Sequence, residues 1–165
     1  MVARLDAVGL LARLVTGGVW IAAGLVKLPD PAASVRAVRA YQILPESIVP
    51  TVGHLLPVLE VVVGVALVVG LLTRAVAVVS LAMFVAFIIG IASVWARGLS
   101  IECGCFGGGG YAKDAASAYP WEIARDVGLG LLSLWLVVRP RSFVALDTLL
   151  FRRTEMSGDV EEVRA

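Results

Sequence analysis

The residues best suited to electron chemistry are Cys103 and Cys105. They stand one residue apart in Glu102-Cys103-Gly104-Cys105-Phe106-Gly107, at the start of a glycine-rich loop. A pair at this spacing can close a disulfide, donate thiolates to a metal or remain two inert thiols. An extended three-residue segment separates its outer Cα atoms by at most about 7 Å, and a disulfide requires roughly 4.4–6.8 Å. A bond between them is attainable but tight. Gly104, lacking a Cβ, can adopt the backbone angles that turn both side chains to one side. Strain in so small a ring makes the bond easier to reduce, which suits exchange better than permanent bracing. Closing so short a loop also removes little entropy from the unfolded chain.

A second group with chemical potential is Glu60, set in the apolar stretch 51–72. It lies about nine positions in, roughly 13 Å along a helix. Gly53, Pro57, Glu60 and Gly64 share one helical face, so small residues flank the carboxylate and that face must turn inward. A cation is needed beside it if it is to stay ionised, and Lys27 and Arg125 are the candidates. Arg125 and Asp126 follow Trp121 and Glu122 in a charged segment that opens the last apolar stretch. Acids are favourable at a helix N-terminus, and Arg125 could instead pair with Glu60 or lower the pKa of a nearby thiol. His54, the only histidine, reads as an interfacial residue. A closed zinc site needs four ligands, and beyond the two cysteines only His54 and distant carboxylates remain, so no metal ligands are assigned. Cu(I), which accepts two sulfurs, stays open as an alternative.

The elements that position these residues are apolar helices. The 165-residue chain is 59% hydrophobic and 16% charged, with a mean hydropathy of +0.93, well outside the range of an ordinary soluble domain. The expected fold is all-α: a polytopic membrane protein, a four-transmembrane-helix bundle with a short interfacial helix between helices 1 and 2. Spans are expected at about 9–28, 51–72, 75–95 and 121–138. A cleaved signal peptide is the competing reading of the first, but the run is long for one and no small-residue cleavage site follows. Arg13 is expected to snorkel to the interface. Between spans 1 and 2, Val35, Val38 and Tyr41 recur at helical spacing while Arg36 and Arg39 point elsewhere, as in a helix lying on a membrane. Arg74 alone separates spans 2 and 3, which implies a tight helical hairpin. In span 3, Ala82, Ala86 and Gly90 form a small-residue stripe suited to a close helix contact. The domain is placed at 1–141, with 142–165 as a cytoplasmic tail holding an amphipathic piece around Phe143 to Phe151.

Four spans put both termini on one side. The clustering of Arg139 and Arg141 at a span end, and Arg74 in a turn, favours that side as cytoplasmic. A cysteine pair meant to exist as a disulfide belongs on the oxidising face. The Cys loop is therefore expected outside the cytoplasmic membrane. A net charge of +1 lacks the basic surface that nucleic acid demands; lipid is the expected surrounding.

Over residues 9–138 the chain resembles the methylamine-utilisation MauE proteins, a branch of the DoxX-like four-helix membrane proteins. The residues that carry the likeness are Ala23-Gly24-Leu25-Val26-Lys27-Leu28, Leu56-Pro57-Val58-Leu59-Glu60 with Gly64, Leu67 and Gly70, the Cys loop, and Trp121 with Arg125-Asp126. The resemblance implies a protein that assists disulfide formation or redox maturation of an exported protein, often beside a thioredoxin-like partner. In the namesake system the client is methylamine dehydrogenase, whose light subunit is rich in disulfides.

The leading functional reading is thus a thiol-disulfide oxidoreductase in which Cys103 and Cys105 exchange with an exported thioredoxin-like or disulfide-carrying protein. Electrons would pass on to a membrane quinone or another disulfide. The disulfide-generating four-helix membrane proteins that use quinone have two cysteine pairs, and this chain has one. Trp95, Tyr119 and Trp121 are interface anchors, and Trp95 and Trp121 are also candidate walls of a quinone site. The alternatives are a non-catalytic membrane docking subunit, with the cysteines bracing the loop, and Cu(I) handling through the two thiolates.

Overall fold

A computed structural model describes residues 2–104 and 110–139 of the chain. The elements are α1 (Val2–Lys27), α2 (Pro31–Ala40), α3 (Val49–Val69), α4 (Thr73–Ala96), β1 (Ile101–Glu102), β2 (Gly110–Tyr111), a 3-10 turn (Ala115–Ser117) and α5 (Tyr119–Val138). Three helical stretches among the described residues are long and apolar enough to cross a membrane: Leu5–Lys27, Val49–Val69 and Thr73–Ala96. The expected fourth span, 121–138, is a helix of similar length, but Glu122, Arg125 and Asp126 charge its first two turns, and it is not one of these three. The segment expected to hold an interfacial helix does contain α2. Asp30 caps it, its carboxylate accepting from the Ala33 N–H at 2.9 Å, and Pro31 supplies the fixed φ favoured in a first turn. The tail piece around Phe143 to Phe151 lies outside the described residues.

Helix α1 packs chiefly on α3, α4 on α5, and α1 on α5 joins the two pairs, while α2 lies against α3. The face of Gly53, Pro57, Glu60 and Gly64 is buried, as its spacing requires. A Cβ built on Gly64 would come within 2.7 Å of the Gly17 carbonyl oxygen, so the α1 and α3 backbones touch there. That contact, between glycines on two helices, is one close approach of this bundle, and Gly24, where a Cβ would come within 2.7 Å of the Pro57 carbonyl oxygen, is another. The stripe expected in span 3 plays a smaller part. Ala82 and Ala86 are exposed and only Gly90 is buried, against the ring of Tyr41.

Some polar groups inside the bundle are paired between helices. Trp20 Nε1 donates to Ser80 Oγ at 2.8 Å, and Ser80 Oγ lies 2.9 Å from Ser133 Oγ, linking α1, α4 and α5. Around this chain Leu67, Ala77, Phe84 and Leu136 form the apolar core. Arg13 does not snorkel. It is fully buried and donates from Nε to the Leu67 carbonyl and from Nη2 to the Val68 carbonyl, both at 2.9 Å. A guanidinium thus supplies donors where α3 ends and its last carbonyls lack intrahelical partners. The hairpin between α3 and α4 turns at Gly70–Leu72, not at Arg74, which lies within α4. Gly70 takes φ +75°, a left-handed helix cap that glycine adopts without steric penalty.

Candidate functional site

The Cys loop is held from below by two tyrosines. Tyr119, the first residue of α5, is buried. Its hydroxyl accepts from the Ile101 N–H at 2.8 Å and lies 2.9 and 3.0 Å from the carbonyl oxygens of Ile101 and Leu99, to one of which it donates. Tyr41, just past α2, donates its hydroxyl to the Cys103 carbonyl at 2.7 Å. Burial pushes the Tyr41 phenol above its ordinary range, because the anion would lose its hydration there. Arg97 in turn donates to the Tyr41 carbonyl. One short antiparallel ladder pairs Ile101 with Tyr111 and Glu102 with Gly110, so the chain enters and leaves the Cys loop side by side. Gly104 has φ +68°, the left-handed conformation that its lack of a Cβ permits.

Cys103 itself is 9% exposed and packs with Ala40, Ile91, Val94, Ile101 and Tyr119. It is disulfide-bonded, not a free thiol. Cys105, the other cysteine of the sequence, lies outside the described residues. Beside Cys103 opens a cleft of about 500 Å³ whose polar lining comes from Glu102, Lys113, Asp114, Glu122 and Arg125. Charges of both signs therefore border the cysteine on its open side.

The two remaining carboxylates of interest are answered by different cations. Lys27 Nζ donates to Glu60 Oε1 at 2.5 Å, with the two side chains 5% and 0% exposed. Arg125 donates from Nε and Nη2 to Asp126 Oδ1, at 2.9 and 2.8 Å. Of the two cations that could answer Glu60, Lys27 does so, because α1 is the close neighbour of α3 and Lys27 closes it at the level of Glu60. Arg125 stands beside its own sequence neighbour and also lines the cleft with Cys103. Trp95 is half-exposed and sits edge-on to Tyr119 at 6.4 Å between ring centroids, whereas Trp121 is 74% exposed. Neither lines the cleft. His54 is exposed, its Nδ1 2.6 Å from the Pro50 carbonyl of its own helix. Among the described residues no group of three or more His, Cys, Asp or Glu stands together as a metal site.

Sequence reasoning marked Tyr41 only as part of an apolar face and Tyr119 only as an interface anchor. The signal for their role was their position, each at the end of a helix facing the loop.

A sequence model of the family described as methylamine utilisation protein MauE matches residues 5–139. Comparison with curated proteins and with solved structures gave no match.

Proposed function

The chain belongs to the family of methylamine utilisation protein MauE, and on that footing we propose that its Cys103 and Cys105 exchange disulfides with an exported thioredoxin-like or disulfide-carrying protein. The observation that carries this reading is the setting of Cys103. Its backbone is fixed by Tyr41 and the ladder, its thiol is not free, and it borders a charged cleft open to a polypeptide partner. A partner thiolate attacks one sulfur of a Cys103–Cys105 bond, releasing the other as thiolate and forming a mixed disulfide. A second partner thiolate then resolves it. The partner leaves oxidised and both cysteines remain as thiols. Arg125, on the cleft wall, favours the departing thiolate and is held there by Asp126, while Lys27 and Glu60 join α1 to α3 beneath the loop.

In this reading α5 is the fourth span, its charged first turns lying at the membrane surface where the Cys loop emerges, and α2 lies along that same surface. The exposed Arg36 and Arg39 on one side of α2, across the helix from buried Ser34 and Ala37, suit such a position. Residues 1–141 then form the membrane domain of a bacterial plasma-membrane protein, with both termini and the tail 142–165 in the cytoplasm and the loop outside. The client is a disulfide-containing exported protein, as methylamine utilisation would require.

The test is to trap the partner. Cys105→Ala leaves Cys103 as a lone thiol: its thiolate attacks the disulfide of an oxidised partner, releasing one partner thiolate, and with no second cysteine in the loop to resolve the bond the mixed disulfide should accumulate and run as a reductant-sensitive adduct on a gel. A chain that yields no adduct from either single cysteine variant, in cells that carry the whole system, would be a docking subunit and not an exchanger.

A further inference from the structure

Cys103 and Gly104 border two cavities of opposite character. One is the charged cleft already described. The other, of about 440 Å³, is walled almost wholly by apolar side chains, among them Val38, Leu56 and Phe87, with Lys27 also on its wall. Its rim carries Ile43 and Ile89, which are 50% and 61% exposed, so the groove opens sideways on the flank of the bundle that faces lipid. Its volume falls in the range of small-molecule sites, about 300–1,000 Å³, and such sites combine an apolar wall with a few placed polar groups. Here those groups are the buried ammonium of Lys27, held by Glu60, and the Tyr41 hydroxyl, already bonded to the Cys103 carbonyl.

We infer that this groove is the site of a membrane quinone that takes the electrons from the Cys103–Cys105 pair. The inference rests on the exchange reading above, which leaves both cysteines reduced and in need of an oxidant. A water-soluble oxidant would use the charged cleft. An apolar groove that reaches the same cysteine from the lipid side fits an acceptor dissolved in the membrane, with a carbonyl oxygen that accepts from Lys27 and a flat ring that packs on Phe87. The step balances: the two thiols give up two electrons and two protons and form one S–S bond, while the two quinone carbonyl oxygens each gain a proton to give the hydroquinone. The groove also revises the expected location of the site. Its lining does not include Trp95 or Trp121.

The experiment uses the full chain in lipid nanodiscs. The pair is reduced with dithiothreitol, the reductant is removed, and a short-chain ubiquinone analogue is added while quinone absorbance and free thiols are followed together. The expected result is one hydroquinone formed for each pair of thiols lost. Ala86→Phe, at an exposed point of the groove wall, should slow the reaction about tenfold or more by filling contact volume the ring needs, in protein that elutes and melts like the parent. A photoreactive quinone should label peptides spanning 34–44 or 86–90. If the reduced pair is stable in the presence of quinone, or if Ala86→Phe reacts as fast as the parent, the groove is a lipid-tail crevice and the inference is wrong while exchange stands. If dithiothreitol cannot reduce the pair at all, the exchange reading fails and this inference with it.

Discussion

Removing one member of the Lys27–Glu60 pair should be far more damaging than removing both. The two side chains are 5% and 0% exposed and meet at 2.5 Å. Opposite unit charges about 4 Å apart attract by about 4 kcal/mol at the effective dielectric of about 20 that describes protein sites. Desolvating each ion costs several kcal/mol, so the intact pair gains little or nothing over an apolar replacement of both side chains. Glu60→Leu discards the attraction and leaves the ammonium buried without its anion, a loss of about 3–5 kcal/mol. Lys27→Met does the same to the carboxylate, whose Oε2 has no hydrogen-bond partner among the described residues to soften the effect. The double variant Lys27→Met/Glu60→Leu leaves no charge and should lose no more than about 1–2 kcal/mol. The assay is a double-mutant cycle on reversible unfolding in mixed micelles, with insertion checked by membrane fractionation. Single variants that each cost under about 1 kcal/mol, or a double variant that costs the sum of the two, would refute the pairing as the reason for a carboxylate at this depth.

Three further outcomes follow from the same geometry. Arg13→Met should destabilise the bundle by about 2–4 kcal/mol, since it removes two charge-assisted bonds to buried carbonyls at the end of α3; unfolding of the purified protein measures it, and a neutral result would deny the capping role. Gly64→Val should force α1 and α3 apart and cost about 1–3 kcal/mol by overpacking, whereas the same change at Gly18, where a Cβ meets nothing within 4 Å, should be tolerated; equal effects at the two sites would contradict the helix pairing. The buried Tyr41 phenol has a raised pKa in the folded protein, so the folded state holds its proton longer than the unfolded chain does. Stability should then fall as pH rises above about 10, the unfolded tyrosine value, and Tyr41→Phe should flatten that slope; a slope unchanged by the substitution would remove Tyr41 from the account.

The inward face of Gly53, Pro57, Glu60 and Gly64 was legible because a carboxylate in an apolar stretch can point only one way. A bonded Cys103 was legible because two cysteines one residue apart, beside a glycine, have few uses. Pairings between helices were not, since spacing along one helix does not say which neighbour it meets. Lys27 and Arg125 were equal candidates for Glu60 until α1 was seen against α3. Ala82 and Ala86 have the spacing of a close contact yet stay exposed, while Gly17 and Gly64 make that contact. Arg13 misled for a related reason. Snorkelling is what an arginine near a helix end does when lipid is its only neighbour, and here the end of α3 offers carbonyls instead. The turn moved to Gly70–Leu72 because a helix cap needs a residue tolerant of positive φ, and Gly70 supplies it ahead of Arg74.

The most direct test of the account is the redox state and sidedness of Cys103 and Cys105 in intact cells. A membrane-impermeant thiol reagent should add nothing to the untreated protein and two labels after mild reduction, showing an outward-facing, exchangeable disulfide. Two labels without reduction in oxidising medium would contradict disulfide exchange, and no labels after reduction would place the loop on the wrong side of the membrane.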